Sequence, residues 1–173
     1  MDTVSGPSRH DEETLTHLVE TYQLALLRLC FAYLHDRALA EDAVQETFLK
    51  AYRALPKFRG QSSEKTWLSR IAVNTCRDMR RGAWFRHTDR AVTPDMLPEP
   101  AVSPSPRDDT LTLAVMALPI KLRESVLLYY FQDMSTGEIA QTLGISQQAV
   151  STRLNRARDK LRASLEQNGL ERG

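Results

Sequence analysis

Apolar residues recur along this chain in two blocks of helical period, separated by a stretch where the pattern fails. Leu15, Leu18, Val19, Tyr22, Leu26, Leu29, Cys30 and Tyr33 follow the spacing that lines one face of a helix. Asp11, Glu12 and Glu13 stand at its start, where the helix dipole favours carboxylates. His35, Asp36 and Arg37 interrupt the pattern. A second helix is predicted from about Ala40 to Leu55, with Val44, Phe48, Ala51 and Leu55 on one face and Pro56 as its stop. Phe58 to Ser63 reads as a polar loop containing a glycine. Trp67, Leu68, Ile71, Ala72, Thr75 and Met79 then trace a third helix ending in Arg80, Arg81 and Gly82, with Trp67 taken as core. Three helices with matching apolar faces predict a compact helical domain over residues 11–82.

Residues 83–107 break the regularity. Pro94, Pro98, Pro100, Pro104 and Pro106 are five of the eight prolines of the chain, and no helix runs through such a series. This is read as a stiff, extended tether with acidic spots at Asp89, Asp95 and Glu99. Helical period returns over 108–168. Leu111, Val115 and Leu118 form a short face, and Pro119 opens a further helix whose core side is assigned to Val126, Leu127, Tyr130 and Phe131. The predicted fold class is all-α: two small helical domains joined by a Pro-rich linker.

Composition narrows what such a chain does. Hydrophobic residues at 42% and charged residues at 26% suit a soluble globular protein and argue against wholesale disorder. With 23 basic and 22 acidic residues there is no global positive field, so attraction to nucleic acid has to be local. No apolar run has membrane-spanning length. Asp2, Asp11, Glu12 and Glu13 do not follow the order of a signal peptide, so the expected location is the cytoplasm. Cys30 and Cys76 fall at apolar helical positions without neighbouring histidines and are read as buried free thiols. His10, His17, His35 and His87 are scattered. No metal, cofactor or small-molecule substrate is expected.

The second block carries a more specific signal. Ser135 and Glu138 form a capping box, Ile139, Ala140 and Leu143 give the helix an apolar face, and Gly144 suits the left-handed end. Ser146 then caps a longer helix with the stripe Val150, Leu154, Ala157 and Leu161. A short helix, a glycine turn and a longer helix make a helix-turn-helix. Gln147, Gln148, Ser151, Thr152, Arg153, Asn155 and Arg156 are assigned to the exposed side, where amides and guanidinium groups can read base edges or hold phosphates. Arg153 and Arg156 are expected one turn apart on the groove-facing side. A plain helical hairpin with a solvated basic face is the competing reading, and the combined cap, turn and polar helix argue against it.

In the first block, Phe58 to Arg81 reads FRGQSSEKTWLSRIAVNTCRDMRR. It joins an aromatic, a polar loop and a helix bearing Arg70, Asn74, Arg77, Arg80 and Arg81. Stacking, an amide and positive charge are what hold single-stranded bases.

These segments together resemble the sigma-70 family, in its extracytoplasmic-function group. AEDAVQETFLKAYR at 40–53 is similar to the family's helix that docks on the polymerase β′ clamp, 58–81 to its promoter-melting segment, and ALP at 117–119 with the helix-turn-helix to its C-terminal domain. The resemblance implies an initiation factor that binds core RNA polymerase, through β′ and β, and promoter DNA. Asp42, Gln45, Glu46 and Phe48 match the clamp-binding segment, whose carboxylates would repel DNA. Phe58 and Asn74 match a pocket for a base flipped from the −10 element; Arg59 belongs to the same segment, and Arg77, Arg80 and Arg81 are cast as backbone grips. Gln147, Gln148, Ser151, Thr152, Arg153 and Arg156 match the surface that reads the −35 element. Ser151 stands where a basic residue is frequent, and Gln147-Gln148-Ala149 replaces a small-residue opening, which leaves the promoter sequence open. The tether corresponds to a linker that threads toward the polymerase active centre and RNA exit path. An anti-sigma factor is a further implied partner, able to hold the chain at the membrane.

Two other classes fit less well. A response-regulator-like protein needs a sensor with an α/β pattern, which 11–81 lacks. An enzyme needs a phosphate loop, a metal-spaced His/Cys set or a nucleophile–base motif, and the sequence offers none.

Overall fold

The computed structural model of the chain describes residues 7–81 and 106–169. All regular structure among them is helical, and the chain divides into two compact units.

The first unit is a three-helix arrangement: α1 (Arg9–Leu34), α2 (Arg37–Ala54) and α3 (Glu64–Arg81). Ser8 starts α1 with a capping box: the Asp11 N–H donates to Ser8 Oγ at 3.3 Å, and the Ser8 N–H donates to Asp11 Oδ2 at 2.7 Å. The helix ends at His35, whose φ of 55° is left-handed and whose N–H closes on the Phe31 carbonyl. Asp36 then caps α2 by accepting from the Leu39 N–H at 3.0 Å. Helix α2 therefore starts at Arg37, ahead of the predicted Ala40, because a carboxylate cap is at hand. Pro56 ends the helix as expected, within a single 3₁₀ turn over Leu55–Lys57. Leu18, Leu26, Leu29, Phe31, Tyr33, Val44, Phe48, Leu68 and Val73 make the core, each worth roughly 1.5–3 kcal/mol of apolar burial where the side chain is large.

The second unit holds α4 (Pro106–Met116), α5 (Ile120–Val126), a π-helical turn (Leu127–Phe131), α6 (Thr136–Leu143) and α7 (Gln147–Gln167). The Pro-rich segment from 83 to 105 lies outside the described residues. Pro106, counted into the tether, instead opens α4, a first-turn position where its missing N–H is no loss. Val115 and Leu118 are buried as predicted, while Leu111 is exposed. The assignment of Tyr130 and Phe131 to the core is corrected: they are 50% and 48% exposed, and Leu128 is buried in their place. The cause is the π turn. Its wider spacing, with the Gln132 N–H reaching the Leu127 carbonyl at 3.1 Å, shifts the phase of the helix just where the aromatic residues fall.

Candidate nucleic-acid interfaces

The helix-turn-helix is built by local chemistry. The Glu138 N–H donates to Ser135 Oγ at 3.1 Å, and the Ser135 N–H donates to Glu138 Oε2 at 2.9 Å. Gly144 ends α6 at φ 68° and ψ 37°, and Ser146 Oγ accepts from the Ala149 N–H at 3.1 Å to start α7. Val150, Leu154 and Ala157 are buried, with Leu161 half-buried at the end of the stripe. Gly137 is a residue the sequence reading missed: a Cβ there would lie 3.1 Å from Gln147 Nε2, so a larger residue would displace the Gln147 side chain at the start of α7.

On α7, Gln147, Gln148, Ser151, Asn155 and Arg156 are exposed, and Thr152 is half-exposed, its hydroxyl donating to the Gln148 carbonyl at 2.9 Å. Arg153, expected beside Arg156, does not join them on the exposed side. It flanks the Val150–Leu154 stripe, and its Nη1 lies 3.2 Å from Glu124 Oε1 of α5, the two side chains being 20% and 7% exposed. Glu124 is the reason, and it too went unnoticed. A carboxylate inside the apolar run ESVLLYYF is the signal that could have marked it, since buried charge demands a partner.

Helix α3 presents Trp67, Arg70, Asn74, Arg77 and Arg81 at spacings of three or four, a single helical face. Asn74 and Arg81 are exposed, Arg70 and Arg77 half-buried. Trp67, expected in the core, is half-buried and stacked on Phe58, with ring centroids 4.4 Å apart and planes inclined by 20°. Phe58 is placed by its own N–H, which donates to the Leu55 carbonyl at 3.1 Å, and Ser63 caps α3 by accepting from the Thr66 N–H. Arg59 is exposed in the loop between them. Arg80 is turned to another use. Its Nη1 donates to the Tyr33 carbonyl at 3.0 Å, one of the last-turn carbonyls of α1 that no helical N–H reaches. Arg81 instead faces solvent beside Asp78, at 3.5 Å.

On α2, Asp42 and Gln45 are exposed and Glu46 is half-buried, but Phe48 is only 8% exposed and packs in the core. The apolar side chain that completes the Asp42, Gln45, Glu46 stripe is Leu49, three residues after Glu46 and 51% exposed. Cys30 and Cys76 are both buried and free, as read, and their thiols meet between α1 and α3. The hydrogen bond shared with Cys30, which favours the protonated Cys76 thiol, and then burial push Cys76 well up, against the lowering effect of the Arg80 and Lys50 charges. Among the described residues no group of three or more His, Cys, Asp or Glu side chains could hold a metal ion, and no helix is long and apolar enough to cross a membrane.

Comparison with known proteins gives consistent matches. Residues 18–86 match the family Sigma-70 region 2, and residues 108–161 match Sigma-70, region 4. RNA polymerase sigma-H factor of Pseudomonas aeruginosa is 34% identical over 177 residues, covering 94% of this chain and 92% of that protein. The extracytoplasmic-function sigma factor SigL of Mycobacterium tuberculosis is 31% identical, covering 99% of this chain and all of its own. Among solved structures, CnrH in complex with the cytosolic domain of CnrY aligns with a TM-score of 0.64 at 29% identity, over 90% of this chain and 89% of that one. RpoE of Bartonella quintana, in complex with the anti-sigma factor NepR, shares the fold with a TM-score of 0.65 at 22% identity, over 92% of this chain and 98% of its own.

An all-helical fold ending in a helix-turn-helix, matched along nearly its whole length by initiation subunits, defines a sigma factor. The chain belongs to the sigma-70 family of RNA polymerase sigma factors, in its extracytoplasmic-function group. It binds RNA polymerase to initiate transcription of a regulon, and it is not itself an enzyme.

Proposed function

We propose that this sigma factor meets its promoter through two chemically different surfaces and the polymerase through a third. Residues 11–82 form the polymerase-binding, promoter-melting and −10 domain, 83–107 the tether toward the active centre, and 108–168 the −35 domain. The observation that carries this reading is the Phe58–Trp67 stack, half open to solvent at the head of the α3 face that bears Asn74. Extruding a base costs a few kcal/mol, and stacking on an aromatic returns about 1–3 kcal/mol per base. Asn74 supplies a donor and an acceptor for a base edge, and Arg59, Arg77 and Arg81 supply charge for the strand. The exposed strip of α7, from Gln147 to Arg156, suits the major groove of intact duplex. The stripe Asp42, Gln45, Glu46 and Leu49 repels DNA and suits the β′ clamp.

An anti-sigma factor is the further partner we propose. CnrH, a 29% identical relative, is bound by the cytosolic domain of another protein. A partner with a cytosolic domain would hold an otherwise cytoplasmic sigma factor at the membrane.

The test uses holoenzyme reconstituted with core polymerase. Arg156→Ala should weaken complexes on duplex templates by about 1–3 kcal/mol, confined to the −35 element. Asn74→Ala should spare that recruitment, reduce opening, and lose discrimination among pre-melted −10 bubbles. Identical behaviour of the two variants on duplex and bubble templates would overturn the proposal, because both sites would then read the same state of the DNA.

A further inference from the structure

Arg153 lies in the middle of the helix assigned to the −35 element, and its chemistry invites a base contact. Its surroundings argue otherwise. Glu124, on α5, is almost wholly enclosed, and Arg153 Nη1 stands 3.2 Å from its Oε1. An Arg153 drawn into the groove would break this enclosed pair, and withdrawing one partner of a buried pair costs more than the intact pair contributes. The neighbouring residue repeats the device on the other side. Arg123 is 4% exposed, and its Nη1 donates to the carbonyls of Met116 at 2.7 Å and Leu118 at 3.3 Å, at the end of α4. Two consecutive charged residues of a short helix thus grip α4 in one direction and α7 in the other.

We infer that Arg153 is a positioning residue: with Glu124 it forms a buried clasp that sets the rotation of α7 about its axis, so that Gln148, Ser151, Asn155 and Arg156 face the groove. This rests on the reading of α7 as the −35 helix. The rotation matters because residues on a helix are 100° apart. With Val150 and Leu154 fixed inward, a modest turn exchanges the exposed strip for its flank. The rotation needs the two sides of this buried contact to match, as an ion pair or as packed apolar groups, and is lost when only one side is changed.

The experiment measures promoter affinity of the holoenzyme on templates carrying each single-base change in the −35 element, alongside thermal unfolding of the free protein. Arg153→Met alone should weaken every template at least tenfold and lower the unfolding midpoint. Adding Glu124→Leu should restore both, with the base preferences of the parent at every position. A double variant that regains its midpoint but loses preference at one base pair would make Arg153 a reader and end the proposal. Should the double variant fail to fold, Arg153→Lys decides. It keeps the ion pair but loses the forked guanidinium; parental base preferences support the clasp, and a lost preference overturns it. Arg156→Ala is the control for the underlying reading: if it leaves −35 preferences untouched, the assignment of α7 fails whatever Arg153 does.

Discussion

Arg80 and Arg81 are adjacent in sequence and should respond to truncation in opposite ways. Arg80→Ala removes a charge-assisted bond of 3.0 Å to the Tyr33 carbonyl in a part-buried site. Such bonds contribute about 1.5–3 kcal/mol, and partial solvent access favours the lower end. For a unit of this size each kcal/mol moves the unfolding midpoint by about 4–8 °C, so Arg80→Ala should lower it by roughly 6–12 °C. Arg81 has only an exposed partner, Asp78 at 3.5 Å, and its removal should stay within about 0.5 kcal/mol. Circular dichroism of the purified variants reads both shifts. Promoter binding should invert the order. If Arg81 holds one phosphate of a melted strand, the slope of log K against log salt on a pre-melted template should fall by about 0.7 in Arg81→Ala and stay unchanged in Arg80→Ala. An Arg80→Ala protein with a parental midpoint and a reduced slope would refute the reasoning and return Arg80 to the DNA.

Four further outcomes can be measured. Gly144→Ala has open space around its Cβ but inherits a φ of 68°, so it should cost about 1–2 kcal/mol in chemical denaturation, while Ser135→Ala, losing the capping box, should cost about 1 kcal/mol. Cys30 and Cys76 should resist thiol reagents in the native protein and react fully once it unfolds, because both are buried and Cys76 is held protonated. Asp11 is held below its ordinary value by the bond from the Ser8 N–H, then by the Ser8 hydroxyl. A depressed folded value means its contribution is present above the unfolded pKa and lost as pH falls through the folded one, so amide exchange at the first turn of α1 should rise only in that acidic window.

The parts of this fold that could be read from the sequence are those settled within a few residues. Ser135, Glu138, Gly144 and Ser146 define their caps locally, and each occupies the predicted place. Pro56 and the His35–Asp36 junction are legible for the same reason. What escaped depends on contacts remote in sequence or on register. Arg153 looks exposed until Glu124, on another helix, is brought to it. By sequence Phe48 suits both the apolar face of α2 and a partner surface, and a phenyl ring on the inward face goes to the core, leaving Leu49 outside. Trp67 has the spacing of a core residue, but Phe58, from a loop with no periodicity to read, gives it a partner at the surface.

The π turn at Leu127–Phe131 makes the spacing of this segment as informative as its chemistry. A π turn is geometrically an α-helix that has accepted an additional residue, so the chain after it is out of step with the chain before it. Tyr130 remains outside, where its hydroxyl accepts from Arg158 Nε at 2.7 Å and its ring lies edge-on to Tyr129. Removing one residue from the turn would restore the α-helical phase, swing this aromatic pair toward the core and withdraw the acceptor that holds Arg158 of α7. A conservative substitution in the same five residues would leave that phase untouched. In this segment, length is the message and side-chain identity only its punctuation.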